Sequence, residues 1–213
     1  STALYQGMRD DGGKNYRAYS SMEAYPNGGR LHMPPSGVGR RGQMFEVWIR
    51  PVTENQTPFA LRAALREVEL LGKNGLTQEQ FDFTRKFLKN YCLHFAETTG
   101  ERLAYAVDDR YFGVPDPGQL ATFRKMMDEI TLDEVNAAVH KWIQADNLQI
   151  AIVTEHADRL AEAIVSDAPS PIDYQGTEKP AALLAEDKII QSWPLKVSRE
   201  NIEVVPVEQM FEK

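Results

Sequence analysis

Arg9 and Tyr16 stand seven positions apart near the start of the chain, with Gly12 and Gly13 between them in the stretch MRDDGGKNY. These residue types suit one kind of chemistry. An arginine fork can hold a carbonyl or a carboxylate, and a tyrosine hydroxyl can donate to an oxygen that gains negative charge. The stretch also has a plainer reading, in which residues 1–9 end a helix, the glycines stop it, and Asn15 and Tyr16 begin a strand. Spacing alone does not choose between the two.

Other chemistries find no foothold. His32, His94, His140 and His156 are isolated in sequence, and no pair stands at i, i+4 as a helical zinc site requires. Cys92, His94 and Glu97 form the densest local cluster, but residues i and i+2 of a helix point about 200° apart and cannot share an ion. Cys92 is the only cysteine, so no internal disulfide forms, and its aromatic neighbours on a helix suit an inert core thiol. No Gly-x-Ser-x-Gly elbow occurs, and the glycines at 12–13, 28–29 and 37–42 lack the Lys-Ser/Thr of a phosphate cradle. By motif alone the chain is not an autonomous enzyme.

Composition narrows the partners. The 213 residues are 42% hydrophobic, enough for a sizeable core. A net charge of −7 and a pI of about 5.2 argue against nucleic acid and anionic membrane as partners. Residues 1–50 nevertheless carry seven Lys or Arg against four acids, a balance of +3 that leaves −10 for the remainder. A weakly basic start of this kind can attract an acidic peptide. No apolar run reaches the roughly 18–20 residues of a membrane span. The compartment stays open between bacterial periplasm and cytoplasm. The chain begins inside a helical pattern, STALYQGMRD, and reads as a piece of a longer protein.

The elements that must position these residues follow from periodicity and caps. RAYSSMEAY and QMFEVWIRPV alternate as strands, joined by a loop dense in Gly, Pro and Arg. Thr57-Pro58 opens a helix with Phe59, Leu61, Ala64, Leu65, Val68 and Leu71 as its apolar stripe. TQEQ at Thr77 is a capping box, and its helix presents Phe81, Thr84, Leu88, Tyr91, Cys92 and Phe95 to a core. The chain breaks at Thr98-Thr99-Gly100, and a further helix runs through Leu103, Ala106, Val107 and Tyr111 to Gly113. TLDE at Thr131 starts another helix, with Val135, Val139 and Trp142, which leads into LQIAIV at 148–153, an apolar run typical of a central strand. A short helix at 157–165, a proline-rich connection, the helix AALLAEDKIIQ and a final strand in ENIEVVPVEQMFEK complete the chain. The expected class is α+β, an antiparallel-rich sheet with helices packed mainly on one face.

This order of elements resembles the non-catalytic half of the insulinase/pitrilysin-type zinc metallopeptidases over about residues 1–155. R-x-x-x-G-x-x-Y at Arg9, Gly13 and Tyr16, GLTQEQFDFTRKFLKN and EITLDEVNAAVHKWIQADNLQIAIV carry the likeness. SPIDYQ and IEVVPVEQMFE are similar to the C-terminus of some bacterial members. The resemblance implies a truncated α+β half-domain over residues 1–165, with residues 166–213 as a C-terminal extension packed on it. It also implies that the zinc lies elsewhere, since no H-x-x-E-H occurs here. The zinc then belongs to a catalytic half-domain in the same or a partner chain, and the two halves enclose a peptide substrate.

Within that resemblance, Arg9 and Tyr16 approach the zinc site from across the chamber, Arg9 holding substrate and Tyr16 donating to the developing oxyanion. Asp10-Asp11-Gly12 departs from the more usual Glu-x-Arg/Lys. The leading strand and most of the first helix of the half are absent from the match, so an exposed sheet edge and self-association are expected. A second reading stays open: a structural or partner subunit of the same superfamily with no part in proteolysis.

Overall fold

A computed structural model gives the structure at residues 18–22, 45–49, 51–174 and 178–210. Two short strands, β1 (Ala18–Met22) and β2 (Phe45–Ile49), pair with each other. Helices follow: α1 (Thr57–Asn74), α2 (Gln78–Tyr91), α3 (Thr99–Phe112), α4 (Gln119–Glu129), α5 (Leu132–Trp142), α6 (Ala157–Ser166) and α7 (Ala181–Ile190). The chain divides into two compact units, one built chiefly on Val47–Glu69 and the residues from Ala145 onward, the other chiefly on Leu70–Gln144.

Local signals set most helix starts. At Thr77 the hydroxyl accepts from the Gln80 N–H at 3.2 Å, and the Gln80 side chain accepts from the Thr77 N–H at 2.9 Å. Thr131 and Glu134 form the same reciprocal pair, as do Thr98 and Glu101. Each arrangement satisfies two amides that a helix start otherwise leaves open. Thr57, expected as an N-cap, is already helical (φ −56, ψ −44), because a 3₁₀ turn at Glu54–Gln56 runs directly into α1. Pro58 is tolerated there because its missing N–H falls in the first turn.

In the first unit, the start of α1 is buried on every side. Leu61 packs with Leu160, Ile164 and Leu195; Phe59 and Ala63 pack with Ile190; Ala64 meets Val47 and Ile49 of β2. A helix wrapped in this way needs small residues where neighbours come closest, and Ala60, Ala63 and Ala64 supply them.

The second unit closes around the end of α1. The Asn136 side chain accepts from the Leu76 N–H at 2.7 Å and donates to the Leu76 carbonyl at 3.1 Å, pairing with the backbone much as a strand would. Gly75, at φ +69, has room only for hydrogen: a Cβ there would lie 2.5 Å from Asn136 Oδ1. Asp109 of α3 accepts from the Gln119 N–H at 3.2 Å, a service that Gly118 ahead of α4 cannot perform for itself. Phe87, Tyr91, Phe95 and Phe123 form a run of ring contacts between 5.2 and 6.4 Å.

The antiparallel-rich α+β sheet expected from the sequence does not form. Among the described residues the strand pairing is confined to β1 and β2, and the architecture is mostly helical. LQIAIV at 148–153 is neither strand nor helix and is exposed throughout, and 3₁₀ turns at Arg199–Asn201 and Val207–Gln209 flank the stretch read as a final strand. The physical reason is the difference between local and non-local support. A capped helix satisfies its own backbone, whereas β-propensity yields a strand only where a partner edge is available.

The expected core face of α2 also needs one correction. Thr84 is exposed, and α3 buries Tyr105 while Leu103, Val107 and Tyr111 face outward at 65, 58 and 72% exposure.

Candidate functional site

Arg9, Gly13 and Tyr16 lie outside the described residues, as does His32. Three histidines are described. His94 Nδ1 sits 2.8 Å from Glu97 Oε1, one turn along the chain, while the Cys92 thiol donates to the Lys89 carbonyl at 3.2 Å. The sequence cluster therefore separates into two local contacts. His140 Nδ1 lies 2.8 Å from the Gly72 carbonyl; a carbonyl only accepts, so this nitrogen carries the proton. Among the described residues, no three His, Cys, Asp or Glu side chains come together as a metal site.

His156 has a different setting. Immediately ahead of α6, its Nδ1 lies 2.8 Å from Glu54 Oε2 in the turn ahead of α1, 102 positions earlier in the chain. With the carboxylate oxygen as acceptor, Nδ1 carries the hydrogen of this contact. Arg159 Nε lies 3.9 Å from the other oxygen of Glu54. Glu54 and Arg159 line an open cleft of about 370 Å³ with Asn55, Pro58, Leu160 and Ala163. The histidine side chain is 52% exposed and the glutamate 31%. Such a pair orients the imidazole. Among the described residues, the cleft lining carries no hydroxyl or thiol.

The structure also holds a residue that sequence reasoning missed. Arg62, midway along the buried face of α1, has 0% exposure. Its Nε donates to Ser170 Oγ at 3.0 Å, Nη1 to Asp167 Oδ1 at 2.7 Å and to the Trp193 carbonyl, and Nη2 to the Ala168 carbonyl at 2.9 Å. One side chain thus ties residues 167–170 and 193 to α1.

Burial works against the charge on Asp167, but the Leu195 N–H and Arg62 outweigh it and hold the carboxyl below its ordinary value. Nearby, Arg66 bridges Glu67 at 2.9 Å and Glu186 at 3.1 Å, and Trp193 Nε1 donates to Glu69 at 2.9 Å. Burial raises the Glu67 carboxyl against the attraction of Arg66. The signal for Arg62 was present in the sequence: a single charge inside PFALRAAL, where the remaining side chains are apolar.

Comparison with protein-family models, with curated proteins and with solved structures gave no match. No helix among the described residues is long and apolar enough to cross a membrane.

Proposed function

We propose that the chain is the substrate-binding, non-catalytic half of a zinc metallopeptidase, closing a peptide chamber over a metal carried by another half-domain. The observation that supports this reading is the ordered helical series. The capping boxes at Thr77 and Thr131 both form, α3 ends at Gly113 in the left-handed conformation, and α5 leads towards the apolar run at 148–153. The support lies in these helices; the sheet adds nothing to it. Arg9 and Tyr16 are the residues assigned to substrate, Arg9 as a clamp on a backbone carbonyl or carboxylate and Tyr16 as a donor to the oxyanion.

The test is direct binding of a fluorescently labelled, unstructured peptide to the purified chain, read by anisotropy. Saturable binding is expected, and Arg9→Ala is expected to weaken it about tenfold, the effect of losing a charge-assisted hydrogen bond. A folded chain with no affinity for any peptide of a varied set would instead favour a structural subunit.

A further inference from the structure

Two carboxylates converge on one nitrogen where α7 docks on α1. Arg66 Nη1 donates to Glu67 Oε1 at 2.9 Å, within α1, and to Glu186 Oε1 of α7 at 3.1 Å. The side chains of Arg66 and Glu67 are largely covered, at 14 and 22% exposure, whereas that of Glu186 is 47% exposed. Glu69 places a third carboxylate at this end of α1, where it accepts from the Trp193 indole N–H, a neutral donor, at 2.9 Å. The Trp193 ring lies against Arg66, its centroid 5.7 Å from the guanidinium carbon. One positive charge thus serves two glutamates that repel each other.

We propose that Glu67 is a proton-sensitive control on the docking of α7: when Glu67 takes up a proton, Arg66 is left to Glu186 and α7 is held more tightly against α1. While Glu67 is ionised, it divides the charge of Arg66 and repels Glu186 across the same nitrogen. Once protonated, it does neither. The apolar part of the contact, Ile190 with Phe59 and Ala63, carries no titratable group, so the charged part sets the response to pH.

Two effects favour that proton. Burial is the larger and Glu186 adds to it; both raise the Glu67 carboxyl against the attraction of Arg66. Among the described residues, the charged groups that face Glu67 are Arg66 on its own helix and Glu186 on α7. A carboxyl whose value is higher folded than unfolded adds stability as pH falls through the folded value, and that stability is lost as pH rises through it. Asp167, whose value is lowered, acts in the opposite sense and at lower pH. The ties that hold this part of the chain to α1 are therefore firmest in mild acid, between the two.

Carboxyl-carbon NMR of the full chain tests the shared nitrogen. Glu67 is expected to titrate above the ordinary glutamate value of about 4.3. Glu186→Gln should bring its midpoint down, because the repulsion goes and Arg66 is left to Glu67. The titration of the parent chain is independent of how any variant folds.

Amide hydrogen exchange tests the docking. From about pH 7.5 to about pH 5, above the range in which Asp167 titrates, protection of the α7 amides should rise about two- to fivefold after correction for intrinsic rates, the effect of a part-exposed ion pair. Glu67→Gln should show the higher protection already at neutral pH and lose the pH dependence, although its histidines are unchanged. An ordinary Glu67 midpoint, a midpoint unmoved by Glu186→Gln, or α7 protection that is flat in the parent or rises equally in Glu67→Gln would overturn the proposal. Neither measurement involves a peptide, so this inference and the proposed function can fail separately.

Discussion

Arg62→Ala is expected to destabilise the chain by about 3–5 kcal/mol, the range for breaking a buried ion pair by removing one partner. The loss exceeds that of an ordinary hydrogen bond because four acceptors lose their donor together: Asp167, Ser170 and the carbonyls of Ala168 and Trp193. Arg62→Lys should recover only part of the loss, since an ammonium keeps the charge but not the planar fork that reaches four places.

The pH dependence has a definite sign. Asp167 has a lowered carboxyl value in the folded state, so its contribution is present above its unfolded value and disappears as pH falls through the folded one. In Arg62→Ala that acid-sensitive component should shrink. Urea unfolding followed by circular dichroism, at neutral pH and again below pH ~4, measures both effects. A loss under about 1 kcal/mol, the size expected of an exposed pair, would show that Arg62 is not the tie that holds residues 167–170 and Trp193 to α1.

If the chain is the substrate-binding half proposed above, Tyr16→Phe should lower kcat of the complete peptidase by ~10²–10³-fold while leaving zinc content and folding intact. Attack of water on a peptide carbonyl builds negative charge on its oxygen, and a donor placed in advance acts on that charge more than on the neutral carbonyl. The substitution removes the hydroxyl and keeps the ring. Arg9→Ala should fall partly on KM, because a clamp holds ground state and transition state alike. Steady-state kinetics with one quenched fluorogenic peptide separates the two. If both variants stay within about twofold of the parent in kcat/KM, Arg9 and Tyr16 are ordinary capping and packing residues.

The helices were legible in the sequence where their starts are written locally. Thr77 with Gln80 and Thr131 with Glu134 announce themselves three residues apart, and Gly113 marks the end of α3. Alternation in QMFEVWIRPV puts Phe45, Val47 and Ile49 on one face of a strand; Val47 and Ile49 pack against Ala64, while Phe45 is 40% exposed. What could not be read was whatever depends on distant partners. LQIAIV has every property of a central strand except a described neighbour to pair with, and the apolar positions of α3 point outward because Tyr105 takes the buried place.

The sites divide in the same way. His156 looked isolated because its partner, Glu54, is 102 positions away. Arg62 reads as a defect in an apolar stripe until Asp167, Ala168, Ser170 and Trp193 are brought to it. Its four acceptors lie 105 to 131 positions downstream, beyond any local pattern.

The proposal that this chain serves a metal centre carried elsewhere is tested most directly by metal analysis on two samples. One is the isolated chain; the other is the native assembly captured through a tag on it, assayed in parallel with a quenched peptide. The account predicts no tightly held zinc and no cleavage for the isolated chain. The assembly should carry about one zinc for each H-x-x-E-H half-domain identified in it and should cleave the peptide. An assembly free of zinc and inactive on every peptide, or an isolated chain that itself holds zinc, would contradict it.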